Sequence, residues 1–182
     1  MCSPFGLEFD PKNTYLLADA HFSHQNICGP KVSQWSHGYR DFDNTWQMNE
    51  AIIKSINNNV PENATLFNLG DVTFGDKRKL PELINRFICK NHHLIYGNHD
   101  TFIRKNPEYQ SLFSSCSDYL EIRSGHKDII MSNYAMRVWN KSHRGSLHLY
   151  GHSHGNLSSY GRSLDVGWCK WRRPLRLDEI IE

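Results

Sequence analysis

No apolar run in this chain approaches the ~20 residues that a membrane-spanning helix needs, so no such helix is expected. Cysteine is sparse as well: Cys2, Cys28, Cys89, Cys116 and Cys169 are odd in number, scattered, and form no Cys-x-x-Cys pair. That argues against a disulfide framework and against a zinc knuckle, and it suits a reducing cytoplasm. A large excess of charge of one sign is missing too. A formal net charge of +2 creates no whole-protein field that demands nucleic acid or an acidic membrane. The most basic stretch, Lys170-Trp171-Arg172-Arg173 with Arg176, reads as a solvated turn near the C-terminus. Met1 to Pro11 shows no basic region followed by an apolar one, so no signal peptide is read. There is no internal repeat and no low-complexity tract. The expectation is one soluble, cytoplasmic domain over residues 1–182, long enough to bury a sizeable core.

Histidine, in contrast, is abundant at 11 residues, and several fall into clusters. In order, these clusters are Asp19-Ala20-His21, Gly70-Asp71, Gly97-Asn98-His99-Asp100 and Gly151-His152-Ser153-His154. Each follows a short apolar run. They combine carboxylate, imidazole and amide groups, a mixed oxygen and nitrogen set that suits Mn, Fe, Zn or Ni. Asp19 and His21, two apart on an extended segment, point the same way. Asn98 can offer its side-chain oxygen to a metal and leave His99 for proton transfer.

Periodicity places these clusters at strand ends. Thr14 to Ala18, Ala64 to Leu69 and His93 to Tyr96 read as strands. Between them lie a helix from Thr45 to Val60, capped by Asp43, Asn44 or Thr45 and stopped by Pro61, and a second helix from Leu80 to Cys89. Alternation of strand and helix implies parallel strands with right-handed crossovers. The second half is richer in strands: Tyr119 to Ile122, Asp128 to Ser132 with a turn at Gly125-His126-Lys127, Ser146 to Tyr150, and Leu164 to Val166. An α/β sandwich, with sheets inside and helices outside, is the simplest architecture. In such folds ligand groups gather beyond the carboxyl ends of strands.

With these motifs in this order, the sequence resembles the calcineurin-like metallophosphoesterase superfamily from Asp19 through Pro174, closest to small bacterial and phage-type members that share the opening Asp19-Ala20-His21-Phe22-Ser23-His24-Gln25-Asn26-Ile27. The phosphoprotein phosphatase branch would carry Asp-Arg-Gly shortly after Gly-Asp, where this chain has Val72-Thr73-Phe74-Gly75-Asp76. The resemblance implies an αββα sandwich of two mixed sheets flanked by helices, and two divalent ions, with Mn favoured over Fe, Zn, Ni or Mg. It implies that Asp19, His21 and His154 hold one ion, that Asp71 bridges, and that Asn98, His152 and a side chain near residue 133 hold the other. His99 would protonate the leaving group and Asp100 would orient it. A hydroxide bridging the ions would attack phosphorus in line. The family usually has a histidine, often followed by Tyr-Pro, where this chain reads Asn133-Tyr134-Ala135. Asn133 is then a natural variant with a looser second site, a substitution that stops turnover, or a misaligned motif.

The expected activity is hydrolysis of a phosphomonoester or phosphodiester on a small or nucleotide-like substrate. A nuclease is less favoured without an extended basic groove, and a ligand-binding module with one weakened metal site is the non-enzyme alternative. No membrane partner is expected, and the oligomeric state stays open. His24, Asn26 and Arg40, in the long loop after the first ligand pair, and Arg144 with His143 are candidate substrate contacts. His37, His92, His126 and His148 read as structural or surface residues, and Trp35, Trp46, Trp139, Trp168 and Trp171 as packing residues. Asp165 reads as structural or supporting.

Overall fold

A computed structural model describes residues 7–29 and 38–181; Cys2, Trp35 and His37 lie outside them. Strand β1 (Thr14–Leu17) pairs in parallel with β2 (Thr65–Asn68), β2 with β3 (Asn91–Ile95), and β3 with β4 (Ser115–Ser117). Strand β9 (Leu175–Arg176) closes the other edge antiparallel to β1. A second sheet has the order β5-β6-β7-β8, built from Leu120–Ser124, Lys127–Met131, Leu147–Tyr150 and Ser163–Asp165. There β5 and β6 form a hairpin, and β6, β7 and β8 run parallel.

Strands β1 and β2, and β3 beyond its first residue, are buried on both faces because both are covered. Tyr15, Leu17, Leu66 and Leu94 face helix α1 (Thr45–Asn59) and helix α2 (Leu80–Asn85). Their neighbours Leu16, Phe67 and Ile95 turn to the opposite side and meet Ile129, Met131, Leu147 and Leu149 of the second sheet. Asn44 caps α1 by accepting from the Gln47 N–H at 3.0 Å, and Met48, Ile52, Ile53 and Ile56 bury its inner stripe. These are the two mixed sheets with flanking helices that the sequence implied. Among the described residues, no helix is long and apolar enough to cross a membrane.

The expected second helix is shorter than its apolar pattern. It stops at Asn85 because the Asn57 side chain takes over the backbone beyond it, donating to Arg86 O at 2.9 Å and accepting from Ile88 N at 3.1 Å. Ile88 is consequently exposed rather than part of the buried face. Trp46 is also exposed, at 68%, so it is not a packing residue, whereas Trp139 and Trp168 are buried. His148 is a structural histidine on the outer face of the second sheet. Its Nε2 accepts from the Met136 N–H at 3.0 Å, which leaves Nδ1 to donate to Ile130 O at 3.2 Å.

His92 is buried between Phe87 and Phe113, and burial pushes its pKa down to about 3. Its folded pKa lies below the unfolded value near 6.5, so the unfolded chain binds the extra proton between these limits and stability falls as pH drops. At pH 5 the expected contribution of this one residue is a loss of roughly 2 kcal/mol relative to pH 7. Urea unfolding at the two pH values should show a smaller loss in His92→Leu than in the parent chain; an equal loss would remove His92 from the account.

Candidate metal centre

Parallel pairing of β1, β2 and β3 delivers the first three motifs to one edge, and β6 and β7 deliver Asn133 and His152 to the corresponding edge of the second sheet. The turns beyond the strands are sharp. Asp19, His21, Asp71, His152 and His154 all have positive φ, between 47° and 64°. A non-glycine residue in that region costs on the order of 1–3 kcal/mol and persists where the surroundings enforce it. Here they do. The Asp19 and His21 N–H groups donate to Gly70 O and Asp71 O, both at 2.9 Å, which laces the first two turns together. Gly97 belongs to the same packing, because a Cβ there would stand 2.2 Å from Asp71 Oδ1.

Asp19, His21 and His154 are buried, and one ligand atom from each lies within 4.8 Å of the others. The His21 and His154 Nε2 atoms approach to 3.3 Å with their rings stacked. Both Asp19 oxygens accept the His152 N–H at 2.9 Å, and His152 Nδ1 lies 3.6 Å from Asp71 Oδ2. Asp71 Oδ1 accepts the His99 N–H at 2.9 Å. Burial, reinforced by the Asp71 carboxylate, holds the Asp19 carboxyl well above the usual range. Burial also holds His21 well below its own, with Arg40 and His154 adding to the effect. Buried carboxylates facing each other beside imidazoles that resist a proton call for a cation.

Asn133 supplies a second sign. Its Nδ2 donates to Leu69 O at 2.8 Å, yet among the described residues its buried Oδ1 has no hydrogen-bond partner. A buried amide oxygen left bare is rare and costly unless a donor or a cation meets it. Its backbone carbonyl accepts from Gly151 N at 2.9 Å, so β6 and β7 end side by side. Asn98 is exposed and lines the same cavity as Asn133.

Four expected roles change. Asp100 does not face outward as an orienting partner. Its buried carboxylate accepts from the N–H groups of Asp71 (2.7 Å), Gly97 (2.8 Å) and Val72 (3.0 Å), pinning the second and third turns together. Arg40 is fully buried and touches no open surface. Its guanidinium donates to Ala20 O at 2.6 Å and Asp19 O at 2.5 Å, holding the first ligand turn. Arg144 lies before β7 while His152 lies after it, so a whole strand separates it from the centre; the Lys141–Asp128 pair marks that opposite end. His143, its neighbour, is exposed there too. His24 and Asn26, in contrast, line a cleft beside the centre, with the His24 ring stacked on Phe74 at 3.9 Å. Burial first, then His99 and Arg40, lower the His24 pKa to about 4.

Two further supports hold the last ligand turn, Asp165 as the sequence suggested and Cys169 unforeseen. Asp165 accepts from Ser153 Oγ, from Gly155 N at 2.8 Å and from Gly167 N at 2.7 Å, and so fixes the His152–His154 turn. Cys169 Sγ sits 3.2 Å from His154 Nδ1, bracing the last ligand turn. A scattered cysteine carries no spacing signal that could reveal this.

No protein-family model matches the chain. A solved protein of unknown function from Aquifex aeolicus superposes with a TM-score of 0.63 at 22% identity, over 92% of this chain and 96% of that one. The two share a fold. An uncharacterized protein of Methanocaldococcus jannaschii is 34% identical over 99 residues, 52% of this chain and 50% of that protein. The chain thus spans about half the length of the curated relative it matches. A more distant solved structure is the E. coli phosphoesterase Yfce, with a TM-score of 0.47 and 14% identity over 85% of this chain and 77% of that one.

Proposed function

We propose that this chain is a metal-dependent phosphoesterase of the metallophosphoesterase superfamily. The observation that carries the reading is the buried trio Asp19, His21 and His154, whose ligand atoms lie within 4.8 Å of one another, with the Asp71 carboxylate and the bare Asn133 oxygen beside them. Asp19, His21 and His154 would hold one divalent cation, and Asn98, Asn133 and His152 a second, with Asp71 between them. When bound, such a pair polarises phosphate oxygens and lowers the pKa of water.

The chain's own groups supply the rest. His99 is partly exposed, its ring 5.3 Å from that of His21 and 4.8 Å from Phe74, at the mouth of the site. From there it gives a proton to the departing oxygen. Asp100, Asp165 and Arg40 keep the ligand turns in their strained conformations. Amide oxygen is a weaker ligand than imidazole for later transition metals, which favours Mn over Zn or Ni at the second position.

Chelated protein should hydrolyse neither p-nitrophenyl phosphate nor bis(p-nitrophenyl) phosphate, and Mn²⁺ should restore turnover. Asn133→His measured alongside separates a working variant, with rates similar to the parent, from an impaired one, with a large gain. Turnover that survives chelation, or metal binding without turnover in either form, would remove the assignment.

A further inference from the structure

The centre lies between two cavities of different chemistry. On the His99 side, a cleft of about 420 Å³ runs along Ser23, His24, Gln25, Phe74 and Lys79. Its aromatic wall is Phe74, 43% exposed, backed by His24 on one face and touching the His99 ring by its edge. On the Asn133 side, a cavity of about 260 Å³ is lined by Asn98, Tyr96, Arg104, Asp118 and Tyr134. There the Arg104 guanidinium lies 4.4 Å over the Tyr96 ring and pairs with Asp118. Tyr134 meets the His152 ring at 4.6 Å, so this cavity also reaches the centre.

A phosphomonoester has one organic substituent and needs one such space. A phosphodiester has two. We infer that the substrate is a nucleotide-type phosphodiester whose leaving group occupies the Phe74 cleft and whose retained group occupies the Arg104 cavity. This rests on the phosphoesterase reading and adds to it.

The assignment of sides follows from proton transfer. The group that departs must lie next to the proton donor, and the cleft that adjoins His99 is the Phe74 one. Phe74 offers a planar face for a base or aryl ring, and the Gln25 amide offers both a donor and an acceptor to a ring edge. The paired Arg104 and Asp118 present guanidinium donors beside carboxylate acceptors, which suits a neutral, hydroxylated group such as a sugar rather than a second phosphate. In the reaction, water oxygen bonds to phosphorus and the bond from phosphorus to the leaving oxygen breaks. The leaving oxygen takes a proton from His99, the attacking water releases one to solvent, and His99 is reprotonated. The products are a phosphomonoester and an alcohol.

The test compares kcat/KM of the Mn²⁺-loaded full chain on thymidine 5′-monophosphate p-nitrophenyl ester and p-nitrophenyl phosphate, with bound manganese measured for each protein. Both esters carry the same leaving group, and only the diester has a retained one. The parent chain should favour the diester by about tenfold or more, the size of one well-made contact. Phe74→Ala should depress both esters alike, by about tenfold, as loss of a stacking face does. Arg104→Gln should lower the ratio of diester to monoester kcat/KM at least about fivefold. Preference for the monoester, or a ratio untouched by Arg104→Gln at full manganese content, overturns the inference while leaving a phosphoesterase in place. Full manganese content with no hydrolysis of either ester overturns both.

Discussion

Replacing His99 with alanine should lower turnover by about 10²- to 10⁴-fold while bound manganese stays at the parent level. The two effects separate because His99 meets Asp71 through its main-chain N–H, at 2.9 Å, and alanine keeps that bond. The imidazole itself is partly exposed at the mouth of the Phe74 cleft and lines no part of the buried trio. The loss should be smallest for a nitrophenolate, which departs readily without a proton, and greatest for an alkoxide. Metal analysis and turnover on the same preparations decide the matter. Parallel loss of both would make His99 part of the metal cradle rather than a proton donor.

Gly97→Ala should be nearly as damaging for a different reason. A Cβ at residue 97 would stand 2.2 Å from Asp71 Oδ1 and 2.6 Å from the Asp71 backbone nitrogen. Neither neighbour can retreat. The Asp71 N–H is held by Asp100 at 2.7 Å, and Oδ1 is held by the His99 N–H. The carboxylate is therefore displaced or the turn opens. A misplacement of about 1 Å at a reacting centre costs on the order of 10²-fold in rate, and overpacking of this kind typically costs about 1–3 kcal/mol of stability. Both manganese content and unfolding midpoint should fall, unlike in His99→Ala. Parent-like values for both would mean that the turns are not packed as tightly as these distances require.

The strand ends were legible because the chemistry is local. A short apolar run followed by a polar metal-ligating residue identifies both the buried strand and the turn that leaves it, as in Leu16-Leu17-Ala18-Asp19. The cap at Asn44 and the stripe of Met48, Ile52 and Ile56 were equally readable, since capping and helical spacing act over a few residues. The length of α2 was not, because Asn57, far away in sequence, competes for its backbone. Arg40 and Arg144 show the same divide. Both are cations in polar loops, yet one lies sealed beneath the first ligand turn and the other lies a strand's length from the centre.

By itself, the sequence determined which groups the molecule can offer and the order in which its strands present them, since residue type and local period are written along the chain. Tertiary structure alone decided which offers meet: that Asp100, Arg40 and Cys169 serve as struts, that the Asn133 oxygen is left bare, and that two unlike cavities flank the centre. Those outcomes depend on contacts between separate turns, from Arg40 on the Asp19 carbonyl, 21 residues away, to the His152 N–H on the Asp19 carboxylate, 133 residues away, and no local pattern encodes such an approach.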